Sequence, residues 1–260
     1  MLYGAIIGDI VGSRFEFAPH KSKDFVLFSE DDRFTDDTVM SVAVAKALSE
    51  ARKSAYSDLD EQLKRWLREI GRRYPDAGYG GRFYYWLMAD EDGPYNSFGN
   101  GSAMRTSACG WYGETLDEVL QLASKCAAVR HDHPEGIKGA QAVSAAIFLA
   151  RNGKSREEIR EYISDEFYDL DLSVAEIRKT YRFDVTCQCS VPQAIECFLE
   201  SVSYEDCIRN AVSLGGDSDT QAAIAGSIAE AFYGLDQDLI SKADEYLDDY
   251  LKDLIRECSL

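Results

Sequence analysis

Proline is scarce, five residues in 260, and no low-complexity run or fixed-period repeat interrupts the chain, so nothing marks a linker between domains. A single domain over residues 1–260 is the expected organisation. No stretch of eighteen uninterrupted apolar residues occurs, which excludes a membrane-spanning helix. Basic residues are outnumbered: 28 Lys+Arg against 46 Asp+Glu leave a net charge of −18, which opposes extended contact with nucleic-acid phosphates or an anionic membrane. The same charge repels a phosphate-bearing small molecule unless a local cation neutralises it. Histidine is rare, three residues, and the seven cysteines form no CxxC pair, so a zinc framework is excluded and reduced, mostly buried thiols are expected. The opening MLYGAIIGDIVGS has no basic n-region and carries Asp9 inside its apolar stretch, so no signal peptide is expected and the protein reads as cytoplasmic.

Strand signals are also few. Phe25–Phe28 is short, and the alternation over Phe183–Cys187 is isolated. Helical spacing is abundant instead: Leu59, Leu63, Trp66, Leu67 and Ile70 form one stripe before Tyr74-Pro75. Thr115-x-x-Glu118 and Ser155-x-x-Glu158 read as capping boxes, and Pro192 as a first-turn proline. Residues Asp238–Cys258 read as one surface helix, with Leu239, Ala243, Leu247, Tyr250 and Leu254 on its apolar stripe. Two stretches rich in small residues, Gly139–Ile147 and Ala222–Ala229, belong at the centre of an all-α globule, where small side chains let backbones approach. A chain of this size buries about 70–75% of its unfolded surface, so the core needs no staples.

Two clusters carry the chemistry. Phe34-Thr35-Asp36-Asp37-Thr38 stands directly ahead of an apolar helix, and Gly215-Gly216-Asp217-Ser218-Asp219-Thr220 ahead of another. Each alone reads as helix capping. If the two helix starts meet, four carboxylates and two hydroxyls converge, and a cation is required. The donors are hard oxygens without Cys or His, which selects Mg²⁺, Mn²⁺ or Ca²⁺, and the charge suffices for two divalent ions. Gly215 and Gly216 would bring backbone N–H groups to an anionic ligand. Glycines at 4, 8 and 12 read as close helix packing, and the Walker ending is absent. Glu16, just past that first helix, is a solvated residue by itself and a candidate for proton transfer if its pKa is raised. The loop Asn96–Arg105 reads as a turn with a cap whose Gly99 and Gly101 also suit close approach to a ligand. In Arg130-His131-Asp132-His133-Pro134, the two histidines read as solvated caps and lack zinc partners.

On GAIIGDIVGSRFE, FTDDT, SFGNGSAMR, HDHPEGIKGAQA and GGDSDT, in order and rough spacing from Gly4 to about Gly234, the chain resembles the ADP-ribosylglycohydrolase family. The resemblance implies a compact orthogonal all-α bundle that holds two Mg²⁺, or Mn²⁺ in some members, and cleaves the glycosidic bond of ADP-ribose at its anomeric carbon. Carried over residue by residue, the metal ligands are Thr35, Asp36 and Asp37 with Asp217, Asp219 and Thr220. Glu16 matches an acid/base glutamate, with Asp37 as the other candidate for proton transfer. Ser97, Phe98, Gly99 and Asn100 fall in a loop that contacts diphosphate and ribose, His131 matches a ligand-contacting histidine, and Gly215 and Gly216 match backbone contacts. The metal pair would hold the distal ribose hydroxyls and a water.

Acceptor preference within the family depends on loops around the pocket, here residues 90–95 and 165–186, and arginine-linked ADP-ribose on protein is favoured by a small margin over serine-linked or small-molecule conjugates. The rivals are a non-catalytic ADP-ribose-binding or structural relative, against which six intact ligands argue, and a di-metal phosphohydrolase, which would release AMP or phosphate. A monomer is expected, since no apolar stripe stands clear of the core.

Overall fold

The computed structural model describes residues 1–89 and 93–258. The described residues form helices and no strand: α1 (Tyr3–Ser13), α2 (Asp36–Ala51), α3 (Leu59–Gly71), α4 (Gly81–Met88), α5 (Gly101–Met104), α6 (Ser107–Tyr112), α7 (Leu116–Ala128), α8 (Pro134–Arg151), α9 (Arg156–Glu166), α10 (Val174–Thr180), α11 (Cys187–Leu199), α12 (Tyr204–Val212), α13 (Ser218–Tyr233), α14 (Gln237–Asp244) and α15 (Asp249–Glu257). None of them is long and apolar enough to cross a membrane. The expected all-α architecture holds, and residues 183–186 form a non-helical segment whose one bridge among the described residues pairs Thr186 with Gly99.

The two helices rich in small residues are central, as expected. Every residue of α13 from Ser218 to Glu230 is buried, and α8 is buried along most of its length. Helix α1 lies along α13 with almost nothing between the backbones. A methyl group at Gly8 would stand 2.1 Å from the Ala222 carbonyl oxygen, one at Gly4 2.4 Å from the Gly226 oxygen, and one at Gly12 2.5 Å from Asp219 Cα. Glycine is therefore required at all three positions by proximity. This seam carries Asp9, on α1, to the start of α13.

Helix α3 packs beside α2 through Leu59, Leu63, Leu67 and Ile70, all buried, and each such side chain contributes about 1.5–3 kcal/mol of transfer free energy. All seven cysteines are free thiols, six of them buried. The irregular segment 14–35 between α1 and α2 is held by basic side chains on backbone carbonyls. Lys21 Nζ donates to the carbonyls of Arg178 (3.0 Å), Tyr181 (2.7 Å) and Leu214, and Arg209 Nη1 to those of Lys23 (2.8 Å) and Phe25 (2.7 Å). Arg14 and Asp32 close the segment with an ion pair.

Local expectations need correction in four places. The C-terminal stretch is two helices, because Asp248 accepts from Leu251 N–H (2.9 Å) and starts α15 anew, although Ala243, Leu247 and Leu254 are buried as the stripe required. Pro192 lies inside α11, its sixth residue, where no N–H is available for the Gln188 carbonyl. Ser155 and Glu158 complete a capping box, as do Ser173 and Glu176, whereas Glu118 accepts from Glu114 N–H, leaving the Thr115 cap one-sided. His133 is a cap, accepting from Glu135 N–H, but His131 is buried at 5% exposure, not solvated.

Candidate active site

The starts of α2 and α13 do meet. Thr35 caps α2, with its hydroxyl accepting from Asp37 N–H (3.2 Å), and Asp217 stands at the cap position of α13. Thr220 Oγ1, in the first turn of α13, donates to Asp37 Oδ2 at 3.1 Å and joins the two helix starts. Oxygen atoms of Asp9, Asp37 and Asp219 come within 4.8 Å of one another, as do those of Glu16, Asp217 and Asp219. Asp219 belongs to both groups.

Asp9 was invisible as a site residue in the sequence, where it only breaks an apolar run. In the fold it supports the first cluster from beneath. Its carboxylate accepts from Thr35 N–H (2.8 Å), Thr35 Oγ1 (2.7 Å) and Thr38 N–H (3.0 Å). Two of these are free N–H groups of the α2 start, which an acceptor there satisfies. The signal available in the sequence was a charge among glycines spaced for close packing.

The cluster has more negative charge than its hydrogen bonds can offset. Burial, and then the neighbouring carboxylates, push Asp36, Asp37 and Asp219 well above the usual carboxylate range. Burial raises Glu16 to about 7, with Asp219 adding to the shift, and raises Asp217 to about 6 against the pull of the Asn100 amide. At the effective dielectric of about 20 suited to buried sites, two carboxylates within 4.8 Å repel by about 3 kcal/mol or more. Among the described residues no lysine or arginine ion-pairs with Asp9, Asp37, Asp217 or Asp219. Asp37 Oδ1 and Asp219 Oδ1 are buried without any hydrogen-bond partner. Orphaned oxygens of this kind, in an all-oxygen set, fit hard divalent cations.

Asn100 holds the second cluster in place. Its Nδ2 donates to Asp217 Oδ2 (2.6 Å) and to Ser190 Oγ (3.0 Å). Loss of such an outer partner costs roughly 10–100-fold in cation affinity, so Asn100→Ala is expected to weaken Mg²⁺ or Mn²⁺ binding to that extent in calorimetric titration. Unchanged affinity would show that Asp217 needs no support from the loop.

Glu16, Asp36, Asp37, Asp217 and Asp219 line a cavity of about 420 Å³. Its walls are the segment Gly78–Phe83, the loop Ser97–Arg105 and the extended pair Phe183 and Val185. Backbone bonds fix the loop to the extended segment: Asn100 N–H to Val185 O (2.8 Å) and Cys187 N–H to Phe98 O (3.0 Å). Arg105 and His131, both buried, also line the cavity. Arg105 is 1% exposed and pairs with no carboxylate among the described residues; it stands 3.2 Å from both the Cys126 carbonyl oxygen and His131 Nδ1. Arg105 had no role in the sequence reading, although it is the one charged residue in Asn96–Tyr112.

Of the residues expected at the site, Glu16, Asp36, Asp37, Asp217, Asp219, Thr220, Ser97, Gly99, Asn100 and His131 line this cavity. Thr35 lies buried below the carboxylates, its hydroxyl keeping one lone pair beyond its bonds to Asp9 and Asp37. Phe98 is turned outward, 44% exposed, with its ring edge-on to His133. Gly215 and Gly216 are not on the cavity wall: Gly215 takes a φ of 65° beneath Lys21, and the Tyr181 ring lies on Gly216. Of the segment 90–95 expected to shape acceptor preference, 90–92 lie outside the described residues, and Tyr95 lines the cavity.

Comparison with known proteins agrees with this picture. A family model described as ADP-ribosylglycohydrolase matches residues 1–258. The human ADP-ribosylhydrolase ARH3 is 27% identical, with 91% of this chain and 85% of that protein covered. The ADP-ribosylarginine hydrolase Tri1 of Pseudomonas putida (strain GB-1) is 26% identical over 90% of this chain and 70% of its own. The ADP-ribosyl-(dinitrogen reductase) glycohydrolase of Rhodospirillum rubrum is 25% identical, covering 78% and 70%. A solved structure of an ADP-ribosylglycohydrolase-related protein complex shares the fold, with a TM-score of 0.67 at 22% identity over 98% of this chain and 93% of that one.

Proposed function

Since the chain belongs to the ADP-ribosylglycohydrolase family, we propose that it hydrolyses the glycosidic bond between ADP-ribose and an acceptor, with arginine-linked ADP-ribose on protein as the preferred substrate. The observation that carries this reading is the meeting of crowded carboxylates and a buried cationic donor in one cavity. Five carboxylates line it together with a buried guanidinium that has no carboxylate partner among the described residues, an imidazole and glycine backbone. ADP-ribose has the matching groups, a sugar diol at one end and a diphosphate further along, and a cavity of about 420 Å³ is within the size range for such a ligand.

In this reading Thr35, Asp36, Asp37, Asp217, Asp219 and Thr220 would hold two Mg²⁺, or Mn²⁺, with Asp9 bracing Thr35 from below. When bound, divalent ions supply charge neutralisation and Lewis acidity toward the ribose hydroxyls and a water. Ser97, Gly99 and Asn100 shape the wall for the ribose and diphosphate. Water attacks the anomeric carbon, the bond to the acceptor breaks, ADP-ribose keeps the hydroxyl and the acceptor leaves with a proton. Glu16 is the better placed of the two candidates to carry that proton, because it is only half-buried at the cavity edge while Asp37 lies beneath with one oxygen taken by Thr220. Beside Glu16, Phe17 and Phe183 stack with centroids 6.0 Å apart and are 77% and 46% exposed. A carboxylate next to open aromatic faces suits a guanidinium acceptor. We read the whole chain as one catalytic domain, monomeric and cytoplasmic, with no nucleic-acid surface given its charge of −18.

The test is release of ADP-ribose from arginine-, serine- and nucleic-acid-linked conjugates in Mg²⁺, in Mn²⁺ and in EDTA. The arginine conjugate is expected to turn over fastest and EDTA to abolish the reaction. Full activity in EDTA would sink the metal requirement, and release of AMP or phosphate would replace glycosidic cleavage by attack at phosphorus.

A further inference from the structure

Arg105 follows α5 and is buried where no carboxylate meets it among the described residues. Its Nη2 lies 3.2 Å from Nδ1 of His131. A guanidinium has five N–H donors and no acceptor, so at this contact Nδ1 accepts. A neutral imidazole that accepts at Nδ1 carries its proton on Nε2. Nε2 faces the loop: a methyl group at Gly101 would stand 3.4 Å from it, and one at Gly99 3.7 Å. No side chain or carbonyl among the described residues bonds to Nε2, and the ring lines the cavity beside Phe83 and Tyr95, at centroid distances of 6.4 and 6.0 Å.

We propose that Arg105 is a positioning residue that locks His131 as the neutral Nε2–H tautomer, aimed into the cavity as a donor to an anionic oxygen of a diphosphate-bearing ligand. The identity of that ligand rests on the proposed function; the tautomer does not. The charged groups facing the ring are both cations, Arg105 and the adjoining Arg130, and the remaining neighbours are Phe83, Tyr95 and the end of α7, whose Ala127 carbonyl accepts His131 N–H at 2.8 Å. A second positive charge on the ring is thus opposed from each side, and burial, followed by those two cations, holds its pKa well below the ordinary value. The ring stays neutral across the neutral range, unlike that of a solvated histidine.

The measurement is nitrogen NMR on ring-¹⁵N-histidine protein, with His131 assigned among the three histidines by loss of its signal in His131→Gln. The wild type is expected to show an unprotonated Nδ1 and a protonated Nε2 without change from about pH 5.5 to 8.5, a range that spans the ordinary histidine pKa, and ADP-ribose is expected to shift the Nε2–H resonance. Arg105→Gln, whose amide can still donate to Nδ1, should keep the tautomer. Arg105→Met should let the Nδ1–H tautomer appear and weaken ADP-ribose binding by the inverse of the remaining Nε2–H fraction, about twofold for an equal mixture. A protonated Nδ1 or a titrating ring in the wild type overturns the proposal whether or not the variants fold, and so does an unchanged tautomer in folded Arg105→Met. A locked tautomer that ADP-ribose leaves unshifted overturns the ligand assignment alone.

Discussion

Asp219→Asn is expected to raise the melting temperature of the EDTA-treated protein by several degrees while cutting hydrolysis of mono-ADP-ribosylated protein by more than about 100-fold, beyond the cost of losing an outer-shell partner. Both effects have one origin. Asp219 is the member common to the two carboxylate groups, it is 4% exposed, and one of its oxygens has no partner. Its charge therefore repels Asp9, Asp37 and Asp217 in the absence of a cation, and the isosteric amide removes that repulsion. For a domain of this size each kcal/mol recovered raises the melting temperature by about 2–4 °C. The same substitution should abolish the stabilisation that Mg²⁺ or Mn²⁺ gives the wild type. A variant less stable than the wild type in EDTA, yet still stabilised by cation, would remove Asp219 from the binding set.

The pH dependence of the metal-free protein has a definite sign. Glu16 and Asp217 are held up to about 7 and about 6, above their unfolded values, so the folded state binds more protons than the unfolded chain. The stability these two groups contribute is greatest below the unfolded carboxylate range and is lost as pH rises through about 6 to 7. Saturating cation should flatten this dependence, because the carboxylates are then neutralised without protons.

Gly8→Ala is expected to destabilise the protein by about 3 kcal/mol or more, at the upper end of overpacking costs. In an isolated helix the change would stabilise by up to about 1 kcal/mol. Packing wins here because the new methyl group meets the Ala222 carbonyl at 2.1 Å, and a backbone carbonyl of α13 has no rotamer through which to retreat. Denaturant unfolding should show a lower midpoint with an unchanged slope. Gly81→Ala is the control, since a methyl group there meets nothing within 4 Å. Equal stability of the two variants would mean that α1 and α13 separate without cost.

The parts of this molecule that were legible in the sequence are those in which local pattern and tertiary role coincide. The stripe Leu59, Leu63, Trp66, Leu67 and Ile70 has one apolar face and a helix that buries it. The paired acids at 36–37 and 217–219 announce two helix starts, and their convergence, only a condition in the sequence, is supplied by the fold. Asp9 and Arg105 were not legible in the same way. Asp9 acquires meaning only when α1 is laid against α13, and Arg105 only when α7 brings the Cys126 carbonyl and His131 to it. The break before α15 was hidden because its apolar stripe continues in phase while Asp248 supplies a fresh cap. Gly215 and Gly216 look like a ligand cradle in one dimension; in three, neither lines the cavity.

The seam between α1 and α13 also limits how this fold can diversify. Where backbone meets backbone, the spacing of Asp9 and Asp219 is written in main-chain geometry, and no exchange of side chains at Gly4, Gly8 or Gly12 can adjust it by small steps. The floor of the pocket is a fixed part. Its walls are built from irregular chain at Gly78–Phe83, Ser97–Arg105 and Phe183–Val185, where side chains can be exchanged without moving the helices beneath. Exchange of wall side chains can therefore alter what the cavity admits while the floor stays set by the main chain.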